Sequence, residues 1–410
     1  MHAPEPSGQQ RMSFPLTGLK VVDFSQGGAG PYCTQLLGDQ GADVVKIEPP
    51  RGDWAREMGA FNADIGMTAT FASMNRNKRG ICLDLRQPEA REVAMALCRT
   101  ADVVVEAFRP GVMDRMGMGY EALAKVNPRL VYCSINGFGL TGPNKDLPAS
   151  DSVLQPYGGL MSIVGEDGGD PLRVANIVSD MLAATNGFGS VMLGLYRRAT
   201  TGQGGHVSTN LLDSIVAFQA TNVSEYLLTG VTPRRMGNRH PLIASSGVYK
   251  AADGHIAMAV LDHYWASFCE AMEVRALAED PRFATPESRQ EHRRALWALL
   301  QETVAARPVA HWLQRLRERD ILCAPVQDYP ALVRDPQVLH NGIVGEVRNR
   351  QGARVPMIKS PMTVEGERPR YTPPPSLGEH TLQVLQDDLG LPPDAVERLL
   401  RSKAAIAGTP

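Results

Sequence analysis

No stretch of this 410-residue sequence approaches the ~20 consecutive apolar residues that span a bilayer. Its closest run, Met181–Tyr196, is broken by Thr185, Asn186 and several glycines. The opening MHAPEPSGQQRMSFPLTG has no apolar core of the kind a secretory signal carries, and residues 1–14 read as a disordered tail. Cysteine is sparse: Cys33, Cys82, Cys98, Cys133, Cys269 and Cys323 stand apart, with no CxxC pair. Such residues are expected as small buried hydrophobes in a reducing compartment, and a soluble cytoplasmic protein is the expectation. A surplus of one charge is also missing. Lys and Arg number 42 against 44 Asp and Glu, which argues against a nucleic-acid partner. No HExxH, no paired His/Cys spacing and no GxSxG elbow occurs, so no metal site and no serine-hydrolase elbow is expected.

What is present is alternation. Leu19–Ser25 (LKVVDFS) reads as a buried strand, Gln26–Pro31 as a glycine-rich turn, Tyr32–Gln40 as a helix and Ala42–Glu48 as a second strand. Strands are expected again at Gly80–Leu85, Asp102–Phe108 and Leu130–Asn136, with helices at Pro88–Arg99 and Tyr120–Val126. This order implies an α/β fold with a parallel sheet covered on both faces. Thr141–Asp170, rich in Gly, Pro and Asp, reads as a long loop, followed by helices at Ser179–Arg198 and Val207–Gly230. A hairpin turning at Asp253-Gly254 and a helical stretch, Trp265–Glu318, suggest a smaller α+β domain. The expected division is 15–225 for the first part of the large domain, 226–330 for the small one and 331–410 for a return segment. That segment holds a proline-rich strap at Ser360–Ser376 and a helix pair within Thr381–Ala404.

Three features are candidates for chemistry. The Gly27–Gly30 turn, with Glu48 ending the next strand, mimics a dinucleotide fingerprint, but Cys33 replaces the third glycine and Pro31 removes a backbone N–H; a tight turn needing glycine is the plainer reading. The run Asn75–Arg79, followed by Arg86, offers either a solvated charged loop or cations for phosphates. Asp180 opens a helix rich in small residues, where it serves as an N-cap, as a reactive carboxylate, or as both.

Seven blocks in order resemble family III CoA-transferases: Asp23–Asp53, Met74–Arg86, Ala101–Gly117, Asn127–Gly139, Val178–Val207, Gly247–Val260 and Ser376–Leu391. The resemblance implies a Rossmann-like large domain in an intertwined, ring-shaped homodimer. It implies acyl-CoA and a small carboxylic acid as substrates, with no tightly bound cofactor. It places coenzyme A contacts on Gly28, Ala29, Leu83, Asp84, Leu85, Arg86, Ala107, Phe108, Arg115, Ile135, Asn136, Gly137 and Phe138. The family's catalytic aspartate falls on Asp180, which would carry an aspartyl-CoA thioester.

Three departures direct the reading. The family's α-methylacyl-CoA racemases pair an aspartate with a histidine where this chain has Ser150, which favours transfer, with His240 or His263 of the small domain as substitutes for that histidine. A basic residue for the nucleotide end aligns with Pro49, leaving Arg51 or Arg56 to compensate. Gly237–Ala244 replaces the glycine-rich loop of oxalate-using members. This points to members acting on dicarboxylates such as succinate, mesaconate or itaconate, on aromatic succinates or on carnitine-like acids, with Arg239 and His240 as candidates for a second carboxylate. The rival readings are a racemase, a non-catalytic coenzyme A-binding subunit of a heteromeric transferase, and a dehydrogenase.

Overall fold

The computed structural model describes residues 14–408; the tail expected at 1–14 lies, up to residue 13, outside the described residues. The chain forms two compact units. One comprises the residues up to Leu160, Val174–Ser224 and the chain from His340 onward; the other comprises Met161–Arg173 and Glu225–Leu339.

The first unit is built on six parallel strands: β1 (Lys20–Asp23), β2 (Asp43–Glu48), β3 (Lys78–Leu83), β4 (Val103–Glu106), β5 (Val131–Asn136) and β6 (Gly205–Asn210). Their order across the sheet is 3-2-1-4-5-6, the Rossmann order, with a reversal between β1 and β4. A two-residue strand, Ala405–Ile406, closes the outer edge of β3 antiparallel, pairing with Leu83 and Cys82. Side chains alternate along each strand, so valines one residue apart enter different cores. Val22, Val45 and Val104 join the core beneath Pro88–Thr100, whereas Val21, Val44, Val103 and Val105 join the core beneath Ala29–Asp39 and Val178–Thr201. Burial on both faces is why these strands are nearly continuous in valine and isoleucine.

The helices that matter for the site are α1 (Ala29–Asp39), α2 (Pro88–Thr100), α3 (Tyr120–Val126), α4 (Asp151–Tyr157), α5 (Val178–Thr201) and α6 (Leu211–Phe218). The small residues of α5 have a packing reason. A Cβ on Gly187 would lie 2.7 Å from Ile135 Cδ1 and one on Gly194 2.6 Å from Val131 Cγ1, so only glycine lets this helix approach β5 so closely. The helix ends at Gly202 with φ +77°, a left-handed cap. No helix among the described residues is long and apolar enough to cross a membrane.

The second unit has an antiparallel sheet of β7 (Gly247–Lys250), β8 (His255–Ala259) and β9 (Leu322–Pro325), packed against helices around Trp265, Phe268, Leu300 and Trp312. The expected hairpin turn is present, with Ala251 N–H donating to Gly254 O at 2.8 Å.

Four expectations are corrected. The single helix expected over Val207–Gly230 is strand β6 followed by α6 and a helix at Ala220–Thr229; β6 is a polar edge strand with no apolar alternation to reveal it. The loop Thr141–Asp170 contains α4, pinned through Asp151 and Gln155 by contacts distant in sequence. Residues 161–173, expected in the large domain, group with the second unit, as do 331–339. Asp180 is not an N-cap: Ile177 holds that position, and Asp180 is the third residue of α5.

Candidate active site

The turn from β1 into α1 rests on buried charge. Asp23 accepts from Ser25 N–H (2.9 Å), Thr34 Oγ1 (2.7 Å) and Lys78 Nζ (3.0 Å), and also from Ser25 Oγ. Burial pushes the Asp23 carboxyl up, but Lys78, Lys46 and these donors outweigh it and hold it at about 2. Lys46 Nζ donates to Ser25 O at 2.7 Å and lies 2.9 Å from Asp53 Oδ2, while Asp53 Oδ1 accepts from Gly27 N–H at 2.9 Å. Gly27 itself has φ +81°, and a Cβ there would strike the Trp54 ring. The glycine is thus a turn requirement, as expected.

The basic run Arg76–Arg79 is neither solvated nor free for phosphate. Arg76 Nε is bonded to Asp39 at 3.0 Å, Lys78 is consumed by Asp23 and Pro31 O, and Arg79 pairs with Asp43 at 2.9 Å. Both earlier readings of that run are set aside, because its acidic partners lie on α1, β1 and β2, tens of residues away.

A cleft of about 910 Å3 opens at the C-terminal ends of β1 to β4, at the reversal point where doubly wound sheets take their ligands. Leu83, Asp84, Leu85, Arg86 and Phe108 line it, together with Trp54, which sequence reasoning did not single out. Arg86 does not present a free charge: its Nε donates to Asp84 Oδ1 at 2.7 Å, which holds the Asp84 carboxyl at about 2. Of the two residues expected to compensate for Pro49, Arg51 lines the cleft, whereas Arg56 is bound to Glu48 at 2.7 Å and stacks 3.6 Å over Phe71. The backbone before the cleft is fixed by Glu106, whose Oε2 accepts from Phe108 N–H at 2.8 Å; burial pushes this carboxyl up to about 7.

The other expected contacts are placed differently. Ala107 lies against Gly30, where an added Cβ would be 3.1 Å away. Arg115 is exposed at the end of a short helix. Ile135 is buried under Gly187. Asn136 Oδ1 accepts from Gly139 N–H at 2.6 Å, while its buried Nδ2 has no partner. Gly137 abuts Ala149, and Phe138 meets Tyr157 edge-on at 5.2 Å. None of these six lines the cleft.

Asp180 faces Gly28: a Cβ on Gly28 would lie 3.1 Å from Asp180 Oδ2, so this glycine leaves the carboxylate approachable. Ala29, next to it, is buried as the first residue of α1. The start of α5 is held by Asp151 on α4. Asp151 Oδ1 accepts from both Ser179 N–H and Ser179 Oγ at 2.8 Å, and Oδ2 accepts from Gln155 Nε2 at 2.7 Å. Gln155 also donates to the carbonyls of Val174 and Asn176. The capping carboxylate is therefore Asp151, 28 residues away from Ser179, and nothing in the local pattern announces it. Burial, and then the neighbouring negative charge of Asp151, push the Asp180 carboxyl up to about 7, with no cation to oppose them. A carboxylate left this reactive at the start of a helix is suited to nucleophilic or proton-transfer work.

Ser150 is exposed just before α4. In the second unit, His240 Nδ1 accepts from the N–H groups of Leu242 and Ile243, both at 3.1 Å, which makes it a loop fastener. Arg239 lies 3.1 Å from Asp167. Among the described residues no cluster of three His, Cys, Asp or Glu could hold a metal ion.

A family model described as CoA-transferase family III matches residues 16–381. An acetyl-CoA:oxalate CoA-transferase of Acetobacter aceti is 37% identical over 326 residues, covering 79% of this chain and 83% of that protein. A succinate–glutarate CoA-transferase of Agrobacterium fabrum is 33% identical over 381 residues, covering 91% and 95%. The solved structure of a CAIB/BAIF family protein from Brucella suis is 34% identical and superposes with a TM-score of 0.84, covering 92% of this chain and 100% of that one.

Proposed function

The chain belongs to CoA-transferase family III, and from that premise we propose that it moves coenzyme A from an acyl-CoA to a dicarboxylic acid through an aspartyl-CoA thioester on Asp180. The observation that carries this reading is the state of Asp180, a half-buried carboxylate beside Gly28, raised to about 7 and lacking a cation.

An unpaired carboxylate is a good nucleophile. Asp180 attacks the thioester carbonyl, the C–S bond breaks, and a mixed anhydride and coenzyme A thiolate result. The thiolate then attacks the aspartyl carbonyl and releases the donor acid, leaving the aspartyl-CoA thioester. An incoming carboxylate reverses both steps, and Asp180 is regenerated. Thioester replaces thioester, so little free energy is lost, but water must be kept from the intermediates. The approach past Gly28 supports attack by Asp180, and the cleft lined by Leu83–Arg86 and Phe108 supports coenzyme A binding. Because the attacking form is the anion, the rate is expected to climb as pH rises through about 7.

Relatives acting on oxalate, succinate and glutarate support a dicarboxylate acceptor. Ser150, exposed where racemases carry histidine, supports transfer over racemisation. Arg239 is assigned to the acceptor's second carboxylate; His240, fastening its own loop, is assigned to holding Arg239's segment. A homodimer is supported by large exposed apolar side chains: Leu193 and Tyr196 on α5, each 72% exposed, and Leu228 beyond α6 at 85%.

The test is intact-protein mass after incubation with succinyl-CoA and hydroxylamine. Hydroxylamine turns an aspartyl thioester into a hydroxamate, about 15 Da heavier by bond bookkeeping of the acyl-enzyme route. The gain is expected on the wild type, only with acyl-CoA, and not on Asp180→Ala. An unmodified wild type, or an adduct that survives in Asp180→Ala, removes the proposal.

A further inference from the structure

The second unit concentrates arginine around Arg239, beyond the one residue assigned above to the acceptor's second carboxylate. Arg234, Arg239, Arg293 and Arg294 line a cavity of about 540 Å3 that contains only two acids, Asp167 and Glu291. Asp167 answers two of the cations at once, with Oδ2 3.1 Å from Arg239 and 3.4 Å from Arg294. Arg293 is held by its ends: its two terminal nitrogens donate to Pro241 O at 3.1 Å and His240 O at 2.6 Å. Its Nε is buried without an acceptor. Gln290 Oε1 is likewise buried without a donor, while its Nε2 is spent on Pro241 O at 2.9 Å. Burial and the facing charge of Arg239 both push the Arg293 guanidinium below its usual range.

An orphaned donor and uncompensated cations on one wall cost free energy unless something fills the space. Guanidinium forks match carboxylate and phosphate oxygens in geometry as well as charge. Four guanidinium groups against two carboxylates leave room for two negative charges.

We propose that this cavity binds a small dianion, either a free dicarboxylate or a phosphate group, through Arg293, Arg294 and Arg239. A carboxylate or phosphate oxygen satisfies Arg293 Nε–H, and a ligand hydroxyl or a water satisfies Gln290 Oε1. If the dianion is a dicarboxylate, the proposal rests on the acceptor class given above and extends the site beyond Arg239.

Calorimetric titration of the full-length Asp180→Ala protein, with coenzyme A absent, tests the cavity independently of the transfer reaction. Succinate and inorganic phosphate are the two probes. Saturable binding of either is expected, weakened about 10-fold or more by Arg294→Glu, the size of one charged hydrogen bond. Arg294 is 83% exposed, so this variant keeps its fold, and Arg275→Glu, 79% exposed and outside the cavity, is the control that leaves binding unchanged. Binding of succinate alone assigns the site to a dicarboxylate. Competition by phosphate at equal strength assigns it to any compact dianion. Absence of saturable binding of both probes, or equal binding to Arg294→Glu, overturns the proposal. A wild type that forms no hydroxamate leaves this titration intact, so the two readings fail separately.

Discussion

Asp23, at the end of β1, and Asp180, in the first turn of α5, both lie in the first unit, and their surroundings are opposites. Asp23 is wholly buried yet held at about 2, because Lys78, Lys46, Ser25 and Thr34 converge on it. Asp180 is less buried yet raised to about 7, because burial and then the charge of Asp151 push it up and no cation opposes them. Burial alone therefore does not set the state of a carboxyl; the sign of the neighbour decides. The first arrangement fastens a turn. The second withholds compensation from one side chain, which is how a site keeps a group reactive at a cost to stability.

The contrast can be broken from either side. The largest effect is expected from Asp180→Asn, which should lower the rate of coenzyme A exchange between labelled acids by about 1,000-fold or more, as loss of a covalent nucleophile does. Lys78→Met should leave activity secondary to folding: stranding the Asp23 charge in the interior is expected to cost ~3–5 kcal/mol, read from urea denaturation. A native urea midpoint in that variant would mean that the network is not what holds the turn.

The same Asp180→Asn change sharpens the comparison through stability. The folded carboxyl is raised above its unfolded value, so ionising it costs stability, and that cost grows from about pH 4 to about pH 7. The asparagine variant should thus be more stable than wild type at pH 8, by ~2 kcal/mol after allowing for partial solvation, and equal to it near pH 4. Equal melting at both pH values would contradict the raised state. The smallest effect belongs to Asp151→Asn. Its oxygen still caps Ser179, but its charge is gone, so the Asp180 carboxyl should fall and the acid limb of the pH–rate profile should move to lower pH. An unmoved limb would leave burial as the sole cause.

The sheet was legible because β2 and β4 are buried on both faces and so read as short apolar runs, interrupted in β2 by the buried Lys46. Strand β6 was not, since an edge strand needs only backbone partners on one side, and GHVSTN has almost no apolar pattern. Asp180 stands out in the sequence by its place at the start of a helix of small residues, whose purpose, close approach to β5, only the packing shows. The roles of Asp151 and of the Arg76–Arg79 run escaped the sequence for one reason. Each depends on partners of opposite charge or hydrogen-bonding capacity 28 to 55 residues away, and a local pattern carries no information about such pairing. Trp54 was missed because an exposed tryptophan on a 3-10 turn has no spacing to betray that it walls a cleft.

The strand Ala405–Ile406 seals β3 from the outer edge, and Asp84 N–H, in the cleft, donates to Ala404 O at 2.9 Å. The two partners lie roughly 320 residues apart in the order of synthesis. While the ribosome makes the second unit, β3 has an unpaired edge, the kind that recruits strands from other chains. The nascent chain therefore keeps this edge open until His380 and Thr381, and then Ala405–Ile406, arrive to bond it. Expression yield should accordingly depend on chaperone supply and on leaving Ala405–Ile406 free to pair with β3.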